Sequence, residues 1–323
     1  MEPHDVAARS AGGQENADRL FSALWAPIGA AAVNAARLRP GSHVLDAWCG
    51  PGASAIPAAE RVGPLGVIDA VDTAESSLDR GRAKAALRGL SHLRFLHGDV
   101  LDWPAPRRGY DAVVCALGGA RLSDTPSGTE RLLRLIRPGG RMTVTVWARD
   151  ALAPLTEVAR RALAPERPGA AVPPPGDPLH HLGTPPALRA WLAARSLSFI
   201  EVRHVPLVLP CDPDLLWPLA GIASGSPLDG LSPAAVGRVR RRFSEGLLAE
   251  DRDVIDASAL VGTGTVLRVA STRRRASRST RSPGSSPRTP GAYAASGPTP
   301  SGSTPSGCSP TATTSPRPAH STA

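Results

Sequence analysis

The sequence predicts an α/β protein built on a doubly wound, mostly parallel sheet. Two observations carry this prediction. Short apolar runs alternate with amphipathic segments between residues 38 and 150, and strands alternating with helices are typical of right-handed βαβ units. The chain has 323 residues and is 41% hydrophobic, enough to form a sizeable core.

Five strands and three helices are predicted in this segment from runs of apolar residues and their periodicity. The strands are expected at 43–47, 67–71, 93–96, 111–116 and 141–147, and the helices at 52–62, 74–88 and 128–136. The third helix is expected to end before Pro138-Gly139-Gly140. Upstream, a helical segment over 17–37 is expected to break at Pro27, because proline disrupts a helix interior.

The remainder of the chain predicts a more irregular region. Residues 165–186 contain eight prolines and predict a long loop, which in a compact domain is usually a lid or mobile. Later elements are a helix at 186–195, a strand at 199–209, helices at 213–222 and 232–249, and a strand at 261–270. We therefore divide the chain into a helical cap (1–37), a core (38–150), a loop with cap helices and last strands (151–270), and a tail (271–323).

The tail is predicted to be disordered because its Ser, Thr, Pro, Gly and Arg residues cannot bury enough apolar surface to fold. It holds seven arginines and no acidic residue, so of the net charge of +9 only about +2 belongs to residues 1–270. A fold that reads nucleic acid would carry its charge on the folded face. Specific nucleic-acid binding is therefore not expected, and salt-sensitive binding through the tail stays an alternative.

Cysteine spacing and hydropathy exclude several other classes of protein. The four cysteines form no C-x-x-C pair, so neither a metal site nor a disulfide framework is predicted. The first residues lack the basic and apolar regions of a signal peptide, and no run approaches the roughly 18 apolar residues of a membrane span. We expect a cytoplasmic protein without membrane attachment.

The turn after the first strand carries the first candidate site residues. Asp46 ends the strand, and Gly50 and Gly52 form a Gly-x-Gly turn that leads into a helix. Glycines at this position let the backbone turn tightly and approach a ligand closely. The alternative is an ordinary connection between a strand and a helix.

Further candidates follow the other strands, whose carboxyl ends converge on one crevice. Asp72 lies 22 residues after Gly50, where an acid in this fold meets ribose hydroxyls; the alternative is a helix cap. Asp99 is expected to bond an adenine amino group while Val100 covers the ring, and the alternative is a solvated turn aspartate. The fourth strand ends at Cys115-Ala116, facing the same crevice.

The order of these motifs resembles that of the class I S-adenosylmethionine-dependent methyltransferases, most closely the branch that includes the ubiquinone/menaquinone-biosynthesis enzymes. The likeness extends from about residue 20 to 268. The motifs are Val44-Leu45-Asp46 through Gly52, Val71-Asp72, His97-Gly98-Asp99, Tyr110-Asp111-Ala112-Val113 and Leu135-Ile136-Arg137-Pro138-Gly139-Gly140-Arg141.

The resemblance implies a Rossmann-like methyltransferase fold and an enzyme that transfers a methyl group from S-adenosyl-L-methionine to a small-molecule acceptor. It implies specific roles for the candidate residues. Asp46, Gly50 and Gly52 would hold the methionine end of the cofactor, Asp72 the ribose, Asp99 and Val100 the adenine, with Cys115 and Ala116 lining the pocket floor.

The sequence departs from this family at Trp48, where relatives usually have a small residue, often glycine, and at Pro51, which replaces a common threonine. Trp48 motivates one alternative, a degenerate methyltransferase fold that acts as an interaction protein. Another is an NAD-dependent oxidoreductase, whose Gly-x-Gly-x-x-Gly fingerprint would accept Ala55 in place of the third glycine.

No catalytic residue is assigned from the sequence. His180 and His181, in the proline-rich loop, are candidates for a lid and a base, although solvated loop histidines are the simpler interpretation. Trp191 and Trp217 suggest an apolar acceptor, and the alternative is that both belong to the core. Neither the atom that is methylated nor the oligomeric state can be read from the sequence.

Overall fold

The structure is a computed structural model that describes residues 11–118, 126–168, 179–220 and 228–267. The chain divides into two units, Met1–Ser271 and Thr272–Ala323. The second unit lies outside the described residues, so the prediction of disorder for 271–323 concerns residues that the structure does not describe.

A seven-stranded sheet forms the centre of the first unit. Its strands are β1 His43–Ala47, β2 Val67–Asp72, β3 Leu93–His97, β4 Tyr110–Cys115, β5 Ile136–Trp147, β6 Leu197–Val205 and β9 Ala259–Val266. Their order across the sheet is β3-β2-β1-β4-β5-β9-β6. Neighbouring strands from β3 to β5 are parallel, and β9 runs antiparallel to both β5 and β6. The predicted mostly parallel, doubly wound sheet is therefore confirmed.

Both faces of the sheet are covered, as alternate residues of its central strands show. Leu45 and Val113 belong to one buried hydrophobic cluster, whereas their neighbours Val44 and Ala112 belong to another. Because successive side chains of a strand point to opposite faces, two clusters mean that helices pack on both sides. Parallel strands such as β1 to β5 are usually covered by helices on both faces in this way.

Nine α-helices lie within the described residues and surround the sheet. They are α1 Ala11–Leu20, α2 Ala26–Ala36, α3 Ala55–Val62, α4 Glu75–Leu87, α5 Pro126–Leu135, α6 Ala153–Leu163, α7 Pro185–Ala193, α8 Pro213–Ala220 and α9 Pro233–Leu248. Helix α6 packs against α9, and α1 packs against α8. No described helix combines the length and apolar character needed to cross a membrane.

The break predicted at Pro27 is wrong, because the helix continues through this residue. A π-helical segment, Phe21–Trp25, joins α1 to α2, and the Ala26 N–H donates to the carbonyl oxygen of Phe21. Proline has no N–H for the carbonyl four residues before it, and its ring crowds that carbonyl. The wider π-helical turn just upstream accommodates both effects without ending the helix.

Three predicted element boundaries also need correction. The expected strand 199–209 is interrupted at Pro206, and its second part becomes β7 Val208–Pro210, which pairs with β8 Val254–Asp256 in a separate two-stranded sheet. Strand β5 begins at Ile136 rather than Arg141, with a register shift against β4 that accommodates the Pro-Gly-Gly segment. The helix expected at 52–62 begins at Ala55 because the preceding turn is not helical.

Candidate active site

Strand register brings the predicted acids to one edge of the sheet. Asp46 pairs with Ala70 of β2 on one side and with Val114 of β4 on the other. Asp72 is the last residue of β2, and Cys115 is the last residue of β4. Since these strands are parallel, their carboxyl ends meet at the same edge, where ligands of open α/β sheets bind.

Asp46 is buried and bonds to a serine that the sequence analysis did not single out. The Ser54 hydroxyl lies 2.9 and 2.8 Å from the two carboxylate oxygens of Asp46 and donates to them. Burial raises the pKa of Asp46 to about 7, helped by the charge of Asp72 and opposed by the Ser54 hydrogen bond. Ser54 occupies the N-cap position of α3, but its side chain accepts no hydrogen bond from that helix. A serine eight positions after Asp46 is the sequence feature from which this pairing could have been predicted.

Asp72 connects the two loops that follow β1 and β2. Its Oδ2 accepts a hydrogen bond from the Gly50 N–H at 2.8 Å, and its Oδ1 accepts one from the Ala74 N–H at 3.0 Å. The second contact closes a local turn and does not cap α4, because the N-cap residue of that helix is Ala74 and no side chain caps it. The Asp72 carbonyl also accepts from Gly98 N–H at 3.0 Å, which links the loop after β3 to the same point.

The two glycines of the first turn have different surroundings. Both have positive φ angles, +51° at Gly50 and +90° at Gly52. A Cβ placed on Gly50 would meet nothing within 4 Å, whereas one on Gly52 would lie 2.9 Å from the ring of Phe95 and 3.3 Å from Ile56. Gly50 therefore faces open space at the crevice, and Gly52 is required by packing against the core.

The loop after β3 places its two candidates differently. Asp99 is exposed, and its Oδ1 accepts from the Leu101 N–H at 2.8 Å, capping a short 3₁₀ helix at Val100–Asp102. This is the turn role that the alternative interpretation gave it. The side chain of Val100 is fully buried in the core, so it offers no surface with which to cover a ring in this conformation.

The thiols at the crevice are buried and protonated. Cys115 is inaccessible, and burial, with the charge of Asp46, raises its pKa to about 12. Burial, with the charges of Asp46 and Asp72, also holds the pKa of Cys49 well above its usual range. Because a thiolate is the reactive form, neither cysteine is a nucleophile here. Ala116, next in the chain, is half-buried.

Comparison with known proteins gives the family of this segment. A family model described as a methyltransferase domain matches residues 44–140. The chain is 37% identical over 179 residues to nocamycin O-methyltransferase of Saccharothrix syringae, covering 52% of this chain and 62% of that protein. It is 34% identical over 107 residues to demethylmenaquinone methyltransferase of Geobacillus kaustophilus (strain HTA426), covering 33% and 45%.

Residues 44–140 are therefore similar to a methyltransferase domain, and this segment is called the methyltransferase domain below. The resemblance to the menaquinone-related branch is thereby confirmed, and these likenesses favour the methyltransferase interpretation over the nicotinamide alternative. The matches span less than two thirds of either relative. A candidate methyltransferase structure from Bacillus halodurans C-125 superposes with a TM-score of 0.50 at 15% identity, over 74% of this chain and 98% of that one, and shares the fold.

The methyltransferase domain holds Trp48 in an unusual backbone conformation. Its φ angle is +55°, in the left-handed region that glycine adopts most readily. A Cβ on Gly118 would lie 2.8 Å from Cε3 of the indole. The side chain is half-buried and extends from the end of β1 to the loop after β4, an orientation that the sequence could not predict.

The remaining candidates lie outside the methyltransferase domain. His180 and His181 begin a short 3₁₀ helix, His180–Leu182, in which His181 is exposed; the His180 side chain is outside the described set. Trp217 packs edge-on against Phe243 with ring centroids 5.4 Å apart, and the Arg195 guanidinium lies 3.7 Å above the ring of Trp191. The expected link between these tryptophans and an apolar acceptor stays a prediction.

Within the described ranges, no group of three or more metal-ligating side chains could hold a metal ion.

Proposed function

We propose that this chain transfers a methyl group from S-adenosylmethionine to a small-molecule acceptor. One observation carries the proposal. The methyltransferase domain leaves open space beside Gly50, whose N–H donates to the carboxylate of Asp72 at the carboxyl edge of the sheet, where Asp46 also lies. Ligands of open α/β sheets bind at this edge, and two acids beside it suit a ligand with hydroxyl and cationic groups.

The chemistry of the site fits the proposed donor. S-adenosylmethionine carries ribose hydroxyls, an ammonium and a sulfonium, all of which a carboxylate can bind or stabilise. Asp46 and Asp72 supply the two carboxylates, and Gly50, having no side chain, leaves room for the ligand. Hydrogen bonds to a charged acceptor contribute roughly 1.5–3 kcal/mol each, so Asp72 alone could account for much of the ribose affinity.

Each candidate residue then has a defined task. Asp72 accepts the ribose hydroxyls while it keeps the first turn in place, and Asp46 lies on the side of the methionine end, with its ammonium. Asp99 accepts from the adenine amino group, and Val100 contributes main-chain atoms because its side chain is buried. Gly52 shapes the turn from the core side. Ala116 contributes to the apolar floor, and the inaccessible side chain of Cys115 belongs to the core.

The donor supplies an electrophilic methyl group, and the residues of this chain bind and orient it. Holding the acceptor in line with the methyl carbon can contribute roughly 7–11 kcal/mol to lowering the barrier. The protonated thiols of Cys49 and Cys115 exclude them as bases, so no general base is assigned. We infer that the acceptor is a small metabolite and that the reaction takes place in the cytoplasm, where such metabolites occur.

Calorimetric titration with S-adenosylmethionine tests the proposal. We expect micromolar binding by the intact chain and at least about tenfold weaker binding by Asp72→Asn, equivalent to about 1.4 kcal/mol. Asp69→Asn is the matched control, because Asp69 is also buried on β2 but bonds His43, Tyr110 and Arg94 rather than the crevice loops. Absence of binding by the intact chain, or equal weakening by both variants, would contradict the proposal.

A further inference from the structure

Trp48 combines a strained backbone with a position in the cofactor turn. Its φ angle of +55° is one that a residue with a Cβ adopts at a cost, and strained residues of this kind cluster at functional sites. The residue lies two positions after Asp46 and two before Gly50. A glycine would adopt this backbone conformation without strain. Tryptophan occupies the position although its Cβ makes the positive φ angle unfavourable.

Contacts fix the direction of the indole. A Cβ on Gly118 would lie 2.8 Å from Trp48 Cε3, 3.4 Å from Trp48 Cβ and 2.9 Å from the sulfur of Cys115. The ring therefore lies against the backbone after β4 and beside the floor of the crevice. It packs on the large hydrophobic cluster yet stays half-buried, so part of its surface is available at the sheet edge.

Two carboxylates belong to the same region of the site as Trp48. Asp46 precedes it by two residues in the chain, and Asp72 accepts a hydrogen bond from the N–H of Gly50, two residues after it. Among the described residues neither carboxylate forms a salt bridge; their hydrogen bonds are to Ser54 and to main-chain N–H groups. An indole in a turn whose neighbouring carboxyl groups have no cationic side-chain partner is a setting that attracts a cation.

We propose that Trp48 selects the charged donor through a cation–π contact between its indole and the sulfonium. This inference rests on the proposed function and adds a residue that distinguishes the donor from the product. S-adenosylhomocysteine, left after the methyl group is transferred, is a neutral thioether and gains no such attraction. Trp48 therefore tightens binding of the donor more than binding of the product, which limits inhibition by product.

Paired affinities for S-adenosylmethionine and S-adenosylhomocysteine, measured by calorimetry, test this selectivity. Trp48→Leu keeps an apolar side chain at the strained position and removes the π system. We expect it to weaken donor binding at least about threefold more than product binding. Trp48→Phe, with a weaker quadrupole and less change in packing, is expected to fall between the wild type and Trp48→Leu, and thermal unfolding of each variant shows that it is folded.

Three results would overturn the inference. Equal loss of both ligands in Trp48→Leu would mean that the indole acts through packing alone. Binding by Trp48→Gly, when the intact chain binds neither ligand, would mean that the indole closes the pocket, and the proposed function would then have been lost through this residue. Absence of binding by both the intact chain and Trp48→Gly would defeat the proposed function itself.

Discussion

The main-chain N–H of Gly50 donates a hydrogen bond to Oδ2 of Asp72, with 2.8 Å between nitrogen and oxygen. This bond joins the turn after β1 to the end of β2. The carboxylate that we assign to the ribose therefore also holds the glycine turn in place. Changes on either side of the bond should affect cofactor affinity, even when the overall fold is intact.

Gly50→Ala should weaken cofactor binding by filling the space beside the turn. The added methyl group meets no protein atom within 4 Å, so the folding cost is limited to the positive φ of +51°, roughly 1–2 kcal/mol. Gly89→Ala is the control, because Gly89 has a φ of +65° and equally open surroundings beyond the end of α4. Both variants should lose similar stability in urea unfolding, and only Gly50→Ala should lose affinity; equal affinities would contradict the assignment.

Gly29→Ala should destabilise the protein through the contact between α2 and the turn after β1. A Cβ at this position would lie 2.2 Å from the carbonyl oxygen of Ala53, a backbone atom that cannot rotate away. We expect a loss of about 1–3 kcal/mol in the free energy of unfolding, as for other overpacked sites. Gly237→Ala in α9 meets no atom within 4 Å and should instead gain about 0.5–1 kcal/mol. A neutral Gly29→Ala would show that α2 does not pack on the turn as described.

Gly118→Ala should reveal the contact with Trp48 through a double-mutant cycle. The new methyl group would lie within 3 Å of the indole and of the Cys115 sulfur, which should cost about 1–3 kcal/mol. In a Trp48→Gly background the indole is gone, so the same substitution should cost about 1 kcal/mol less. Chemical unfolding of the four proteins gives the coupling energy, and strict additivity would mean that the side chain of Trp48 lies elsewhere.

The stability of the fold should depend on pH through Asp46. Burial raises the pKa of this group from an ordinary 3.8 to about 7, so the folded state binds the proton more tightly than the unfolded state. The stability contributed by this group is complete below the unfolded pKa and is lost as pH rises through the folded pKa. Between about pH 5 and about pH 8 the wild type should lose about 2–3 kcal/mol from this group.

Asp46→Asn cannot ionise at this position and should not show this loss. Its free energy of unfolding, measured in urea, should therefore rise relative to that of the wild type as pH increases across that window, and parallel pH profiles for the two proteins would contradict the raised pKa.

Asp69 should give the opposite dependence of stability on pH. Burial raises the pKa of Asp69, but hydrogen bonds from His43, Tyr110 and Arg94 outweigh burial and lower it below its usual value. Its contribution to stability is therefore lost as pH falls, and Asp69→Asn should change the acid side of the profile. Equal stability of Asp69→Asn and the wild type on the acid side would contradict the lowered pKa of Asp69.

The sequence by itself determined the order of strands and helices in the core and the positions of its acids. Apolar periodicity is a local property, so β1 was predicted with its observed bounds, and Asp46 and Asp72 were expected at strand ends. The elements that the sequence misjudged depend on context. The helix through Pro27 persists because a π-helical turn absorbs the missing hydrogen bond, and the strand after Phe199 divides at Pro206 because its second part pairs with a distant segment.

Only the tertiary structure decided which atoms meet. It inserted β9 between β5 and β6, paired Ser54 with Asp46 and Gly50 with Asp72, and buried the side chain of Val100. It also set the indole of Trp48 against Gly118, a neighbour on a different element that the sequence alone does not identify. These contacts join residues on separate elements, and their energies depend on packing and burial that form only when the sheet and its helices are assembled.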